Sequence, residues 1–227
     1  MELQGDGSFA GHTSAAYANM VGPFGGISAA QMMNAVLLHP DRLGEPVSLT
    51  INFAAALAHG PFTVRARAAR TNRSTQHWIL EVLQGGETVL TGTAFTALRR
   101  ETWSVDEEAM PKVAPPDQVP HGQGPMPMEW VKRYDMRPVS GGMPTVWDGQ
   151  GDHSLTQLWV RDNPPRPLDV ASLACISDVF FPRVFIRRAT HVPVGTVSMT
   201  VYFHASTEQL AQTGTGYLLG QAQAQAF

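Results

Sequence analysis

Val47-Ser-Leu-Thr-Ile-Asn-Phe53 returns 150 residues later as Val197-Ser-Met-Thr-Val-Tyr-Phe203. Six of the seven positions are identical or exchange one apolar residue for another in the same phase, and only Asn52/Tyr202 departs. Recurrence at this spacing marks two tandem copies of one structural unit. Each copy follows a helix-like stretch rich in small, Met or Leu residues, Gly26 to Leu38 in the first and Leu168 to Phe181 in the second. The unit therefore reads as a helix followed by long strands. After Phe53 the first copy runs on for 45 residues to Leu98, whereas 24 residues follow Phe203. By this internal ruler the second copy lacks about two strands, and the expectation is a chain incomplete at its C-terminus.

The 227 residues, 43% of them hydrophobic, supply enough apolar material for one or two buried cores. A net charge of −3 with no lysine- or arginine-rich stripe argues against a nucleic-acid partner. Cys175 is the single cysteine, which excludes an internal disulfide and a cysteine-based zinc site. No run approaches the roughly 18 apolar residues of a membrane span. Met1-Glu-Leu-Gln-Gly-Asp6 has neither the basic nor the apolar region of a secretory signal. The chain reads as cytoplasmic, without membrane insertion.

In the first unit Gly22-Pro-Phe-Gly-Gly26 is a turn cluster feeding a helix whose apolar residues at 29, 32, 33, 36 and 37 keep helical spacing until His39-Pro40. Strands are expected at 47–57, 62–71, 75–84 and 88–98, and Gly85-Gly86 between the last two is a two-residue hairpin signal. A helix with an antiparallel meander is α+β, the sheet covered on one face. Residues 99–128 carry Pro111, Pro115, Pro116, Pro120, Pro125 and Pro127, a density that fits an extended linker. The units are thus 1–98 and 129–227, joined by 99–128. The second has strands near 129–137 and 154–161 and enters its helix through Pro164-Pro-Arg-Pro167.

Asp178 is the only charge between Val170 and Phe181, and at helical spacing it shares a face with Ala171, Ala174 and Cys175. A carboxylate on so apolar a face is paired, protonated or used. It is either a residue on the helix's solvent edge or a catalytic acid or base at the mouth of an apolar pocket. Other chemistries find less support. The eight histidines contain no HExxH pair. Ser177 lies outside any Gly-x-Ser-x-Gly elbow, and Cys175 has no nearby base and reads as core.

The Gly-Gly turn into a helix, the meander, the proline-rich linker and a second helix bearing Ser177-Asp178 together resemble the double-hotdog acyl-CoA thioesterases, nearest the bacterial acyl-CoA thioesterase II group. The most specific pieces are Phe24-Gly-Gly26, Ser177-Asp178 ahead of Phe180-Phe-Pro182, and Thr196 leading into Val201-Tyr-Phe-His204. The resemblance spans nearly the whole chain. It implies a tandem hotdog, each unit an antiparallel sheet wrapped around a central helix. It further implies an acyl-CoA substrate hydrolysed to free acid and coenzyme A, no cofactor or metal, and a homo-oligomer. Asp178 takes the family's acid position and Thr196 the Ser/Thr position at the head of the next strand. The family's third residue, a Gln on the last strand, has no counterpart here, because Gln221, Gln223 and Gln225 fall on the preceding strand by the internal ruler. Arg65, Arg67, Arg70 and Arg73 recur near one strand, as contacts to coenzyme A phosphates or as a solvated face.

Thioester hydrolysis needs a positioned water, a base and stabilisation of an oxyanion. Asp178 would accept the proton, and Thr196 could donate a hydrogen bond to the carboxylate or the water. The oxyanion would sit at the first helix's N-terminus, where Gly25 and Gly26 offer N–H groups with no Cβ in the way. On their own these glycines also read as a tight turn, and Thr196 as an ordinary strand residue. The rival function is a non-catalytic acyl-ligand binding or scaffold protein on the same fold. A hydratase is disfavoured because no His accompanies Asp178 on its helix.

Overall fold

The computed structural model describes residues 1–122 and 127–227; Pro125 and the rest of linker residues 123–126 lie outside them. The first part of the chain forms β1 (Glu2–Leu3), β2 (Phe9–His12), α1 (Gly25–Leu37), β3 (Glu45–Phe53), β4 (Pro61–Thr71), β5 (Thr75–Gln84) and β6 (Glu87–Ala97). The second part forms β7 (Tyr134–Ser140), β8 (Thr156–Asp162), α2 (Val170–Ile176), α3 (Arg183–Arg188), β9 (Ser198–Tyr202), α4 (Thr207–Thr213) and β10 (Leu218–Ala222). One antiparallel sheet has the order β1-β2-β4-β5-β6-β3-β9, and a second has β10-β8-β7.

Helix α1 is central because its sequence is apolar or small on more than one stripe. Gly26, Ser28, Ala29, Ala30, Met32, Met33, Ala35 and Val36 are all buried. The sheet covers one side through Leu49, Ile51, Val64, Leu80, Val82 and Leu90, while α2 packs on another. Along β4, Phe62, Val64 and Ala66 turn inward while Arg65 and Arg67 turn to solvent, the period-2 pattern of a half-buried strand. The β5–β6 turn is the expected two-residue hairpin: Gly85 and Gly86 hold φ of +61° and +89°, which a type I′ turn demands of both positions.

The repeated heptapeptides lie side by side. β3 and β9 pair antiparallel with Thr50 opposite Thr200, their hydroxyls 3.0 Å apart. Phe53 N–H donates to the Val197 carbonyl (2.9 Å), and Phe203 N–H donates to the Val47 carbonyl (2.8 Å). These bonds are images of each other about a pseudo-twofold axis between the two threonines. The same symmetry relates β1-β2-β4 to β7-β8-β10. In the first unit β5 and β6 stand between β4 and β3; among the described residues no strand stands between β10 and β9.

Three expectations need correction. The strand expected at 47–57 ends at Phe53. The strand expected at 129–137 begins as a 3₁₀ turn, Glu129–Arg133, and becomes extended only at Tyr134. That turn buries Trp130 flat against Phe24, ring centroids 4.1 Å apart, and this docking overrides the local pattern. The helix expected through Phe181 stops at Ile176. Its exit tightens, with Asp178 N–H on the Cys175 carbonyl and Val179 N–H on the Ile176 carbonyl, and Pro182 has no N–H to continue it.

Candidate active site

Asp178 sits in the turn leaving α2, and that turn faces the start of α1. A Cβ on Gly25 would stand 2.7 Å from Asp178 Oδ2 and 3.3 Å from the Phe53 ring, while one on Gly26 would collide with the Cys175 carbonyl oxygen. Glycine is required at both positions by this close approach of the two helices. Phe24 is the N-cap of α1 and provides no side-chain acceptor, so Asp178 itself meets the first turn and accepts from the Gly26 N–H. The carboxylate is half-buried, and burial raises its pKa to about 6, with the Gly26 N–H drawing it back down. The result is an acid group within easy reach of both protonation states near neutral pH, seated on the N-terminus of α1.

Around this locus the packing is aromatic. Tyr134 meets Phe24 and Trp130 edge-on, and its hydroxyl donates to Cys175 Sγ at 2.8 Å. Burial pushes the Cys175 thiol up to about 12, so it remains a thiol and fills space as the sequence suggests.

The pseudo-twofold creates a second helix N-terminus, and it is furnished differently. Setting Gly25–Val36 on Asp169–Phe180 places Ser28 on Ser172, Ala30 on Ala174 and Asn34 on Asp178. At α2 the Asp169 side chain already accepts from Ser172 N–H at 2.7 Å. Asn34 shares with Asp169 and Ser172 a small cavity of about 280 Å³. An amide replaces the acid, and a carboxylate of the chain itself occupies the helix end.

The acyl-CoA thioesterase N-terminal domain matches residues 14–97, and the acyl-CoA thioesterase C-terminal domain matches residues 107–227. The chain belongs to the acyl-CoA thioesterase family. That membership makes it a thioester hydrolase with acyl-CoA as its substrate. A hot-dog-fold protein from Alicyclobacillus acidocaldarius is 47% identical, with a TM-score of 0.93, over 100% of this chain and 84% of its own. An acyl-CoA thioesterase II from Mycobacterium marinum shares the fold at 20% identity and a TM-score of 0.74, again over 100% of this chain and 84% of its own. A search of curated proteins returned no match.

In this thioesterase the residues expected at the site divide. Asp178, Gly25 and Gly26 converge. Thr196 is exposed in the segment before β9, and among the described residues no hydrogen bond joins it to Asp178. Gln221 lies on β10 and accepts from Gln157 Nε2 at 2.9 Å. Sequence reading missed Phe53, Trp130 and Tyr134. A signal existed for the first: Phe53 and Phe203 are repeat partners, yet Phe203 is fully buried core whereas Phe53 borders the acid.

Proposed function

We propose that the thioesterase hydrolyses acyl-CoA to a free carboxylic acid and coenzyme A through a water activated by Asp178. The supporting observation is the juxtaposition of the half-buried Asp178 carboxylate, its pKa raised to about 6, with the N-terminus of α1, whose N-cap Phe24 supplies no acceptor of its own. Asp178 takes a proton as the water oxygen bonds to the thioester carbon. The carbonyl oxygen, now an oxyanion, is held at the first turn of α1 by the Gly25 N–H and by the Gly26 N–H, which Asp178 releases as it takes the proton. Collapse breaks the C–S bond, and the proton on Asp178 passes to the departing thiolate, which restores the carboxylate. Thr196, just ahead of β9, is assigned an orienting hydrogen bond to the water.

The opposite helix end has Asn34 in place of the acid and its Ser172 N–H already bonded to Asp169, so this reading assigns one Asp178-type locus to each chain. Thiol release from a panel of acyl-CoAs tests the mechanism. Asp178→Asn should nearly abolish turnover without unfolding the protein, and Thr196→Ala should cost less. Undiminished turnover in Asp178→Asn would reject the mechanism.

A further inference from the structure

Phe53 ends β3 and faces the second copy in two ways. Its N–H donates to the carbonyl of Val197, the residue directly after Thr196, at 2.9 Å. Its side chain continues the inward face of β3 beyond Leu49 and Ile51, which are fully buried, and is itself only partly buried. The ring reaches the start of α1: the place of the Cβ that Gly25 lacks is 2.7 Å from Asp178 Oδ2 and 3.3 Å from Phe53 Cζ. Carboxylate and ring edge therefore border one narrow notch, and Cζ is the ring atom closest to it.

No charged group faces the Asp178 carboxylate to set its protonation. Among the described residues no ion pair includes it. Helix α1 presents Gly25 and the donating N–H of Gly26, and β3 presents Phe53. On its own helix the titratable neighbour is the Cys175 thiol, which accepts from the Tyr134 hydroxyl; burial pushes both pKa values up and both groups stay neutral. Exclusion of water is what raises the carboxyl, and the Phe53 ring borders its Oδ2. The pseudo-twofold supplies a contrast. Phe203, the repeat partner of Phe53, is closed into the core, and Asn34, the partner of Asp178, is an amide that does not ionise.

We propose that Phe53 is a positioning residue for the hydrolysis, its ring keeping water off the Asp178 carboxylate so that the group serves as a base. The kinetic consequence rests on the Asp178 mechanism, whereas the hold of ring on carboxyl is measurable without turnover. Phe53→Tyr keeps the ring and adds a hydroxyl at Cζ, toward the notch, where an O–H donor stabilises the ionised carboxylate. Phe53→Ala opens the same place to water, and Phe53→Met retains apolar cover.

The experiment follows the pH dependence of kcat/KM and, on protein isotope-labelled at its aspartate side chains, the NMR titration of the Asp178 carboxyl carbon, assigned by its loss in Asp178→Asn. In the unaltered protein both should inflect at about 6. Phe53→Tyr and Phe53→Ala should each lower both inflections by about one pH unit or more, with a lower kcat/KM plateau because a weaker base takes the proton less readily. Phe53→Met should hold both within about 0.3 of the unaltered value. A ring that merely filled space would cost stability and rate on removal without moving either inflection. If Phe53→Ala fails to fold, the near-isosteric Phe53→Tyr decides alone. Inflections that stay in place in either folded variant overturn the inference, as does a fall in Phe53→Met equal to that in Phe53→Ala. A carboxyl titration that moves as expected while Asp178→Asn keeps full turnover leaves the hold of Phe53 on the acid standing and removes the Asp178 mechanism.

Discussion

Gly25 and Asp178 define each other's limits: the position that must lack a Cβ is the one that faces Oδ2. Gly25→Ala should therefore lower kcat/KM at least tenfold, because the new methyl displaces the carboxylate or closes the space for water, and kinetics beside a check of folding would show it. The raised pKa gives Asp178 a pH signature. The base form grows as pH rises through about 6, so kcat/KM should climb through that region and level off above it. The same shift acts on stability with the opposite sense. Between the ordinary value of 3.8 and about 6 the folded state binds the proton more tightly than the unfolded chain, so Asp178's contribution to stability falls as pH rises across that window. A displacement of this size corresponds to at most about 3 kcal/mol, less where water reaches the half-buried group. Asp178→Asn should accordingly raise Tm at pH 8 and leave it little changed at pH 4, while removing activity; a lower Tm at pH 8 would contradict this.

Among the elements, the β3–β9 seam joins the two copies, and Arg99 clamps one end of it. Its guanidinium donates to the carbonyls of Pro46 (3.1 Å), Phe203 (2.8 Å) and His204 (3.3 Å) and lies 3.5 Å from the Glu45 carboxylate. Arg99→Ala strands these acceptors and should cost about 1–3 kcal/mol in denaturant unfolding. Arg100→Ala, at an exposed neighbouring position, should cost nothing measurable. The seam was legible because a repeat was present, and so were α1 and the β5–β6 hairpin, where periodicity and paired glycines act locally. The end of α2, the 3₁₀ turn at Trp130 and helix α3 were not legible, since each is decided by distant packing or by Pro182. Helix α4 carried a readable sign in Ser206 and Gln209, which form a reciprocal capping box. At the site, Asp178 stood out as a lone charge in an apolar run, but its partner glycines are 153 and 152 residues away in sequence, a proximity only the paired units create.

At the scale of the molecule, the proposed catalytic locus is assembled from both copies: Gly25, Gly26 and Phe53 come from the first and Asp178 from the second. What holds these parts together is the five-residue register of β3 on β9 and the packing of α1 on α2, not the intervening chain. Residues 100–110 are exposed and carry no helix or strand, whereas the later linker is tied down by Trp159 Nε1 on the Ala114 carbonyl (2.9 Å) and Arg137 on the Pro116 carbonyl (2.7 Å). Cleavage confined to 101–110 therefore removes a covalent tether without touching seam, helices or site. The nicked protein should elute as one species under native conditions, separate into two fragments in denaturant, and retain kcat/KM within about twofold. The isolated fragments should be inactive, because each holds either the acid or the helix N-terminus but never both. Activity in one purified fragment would break the shared-site reading, and dissociation on nicking would show that the seam needs the tether to persist.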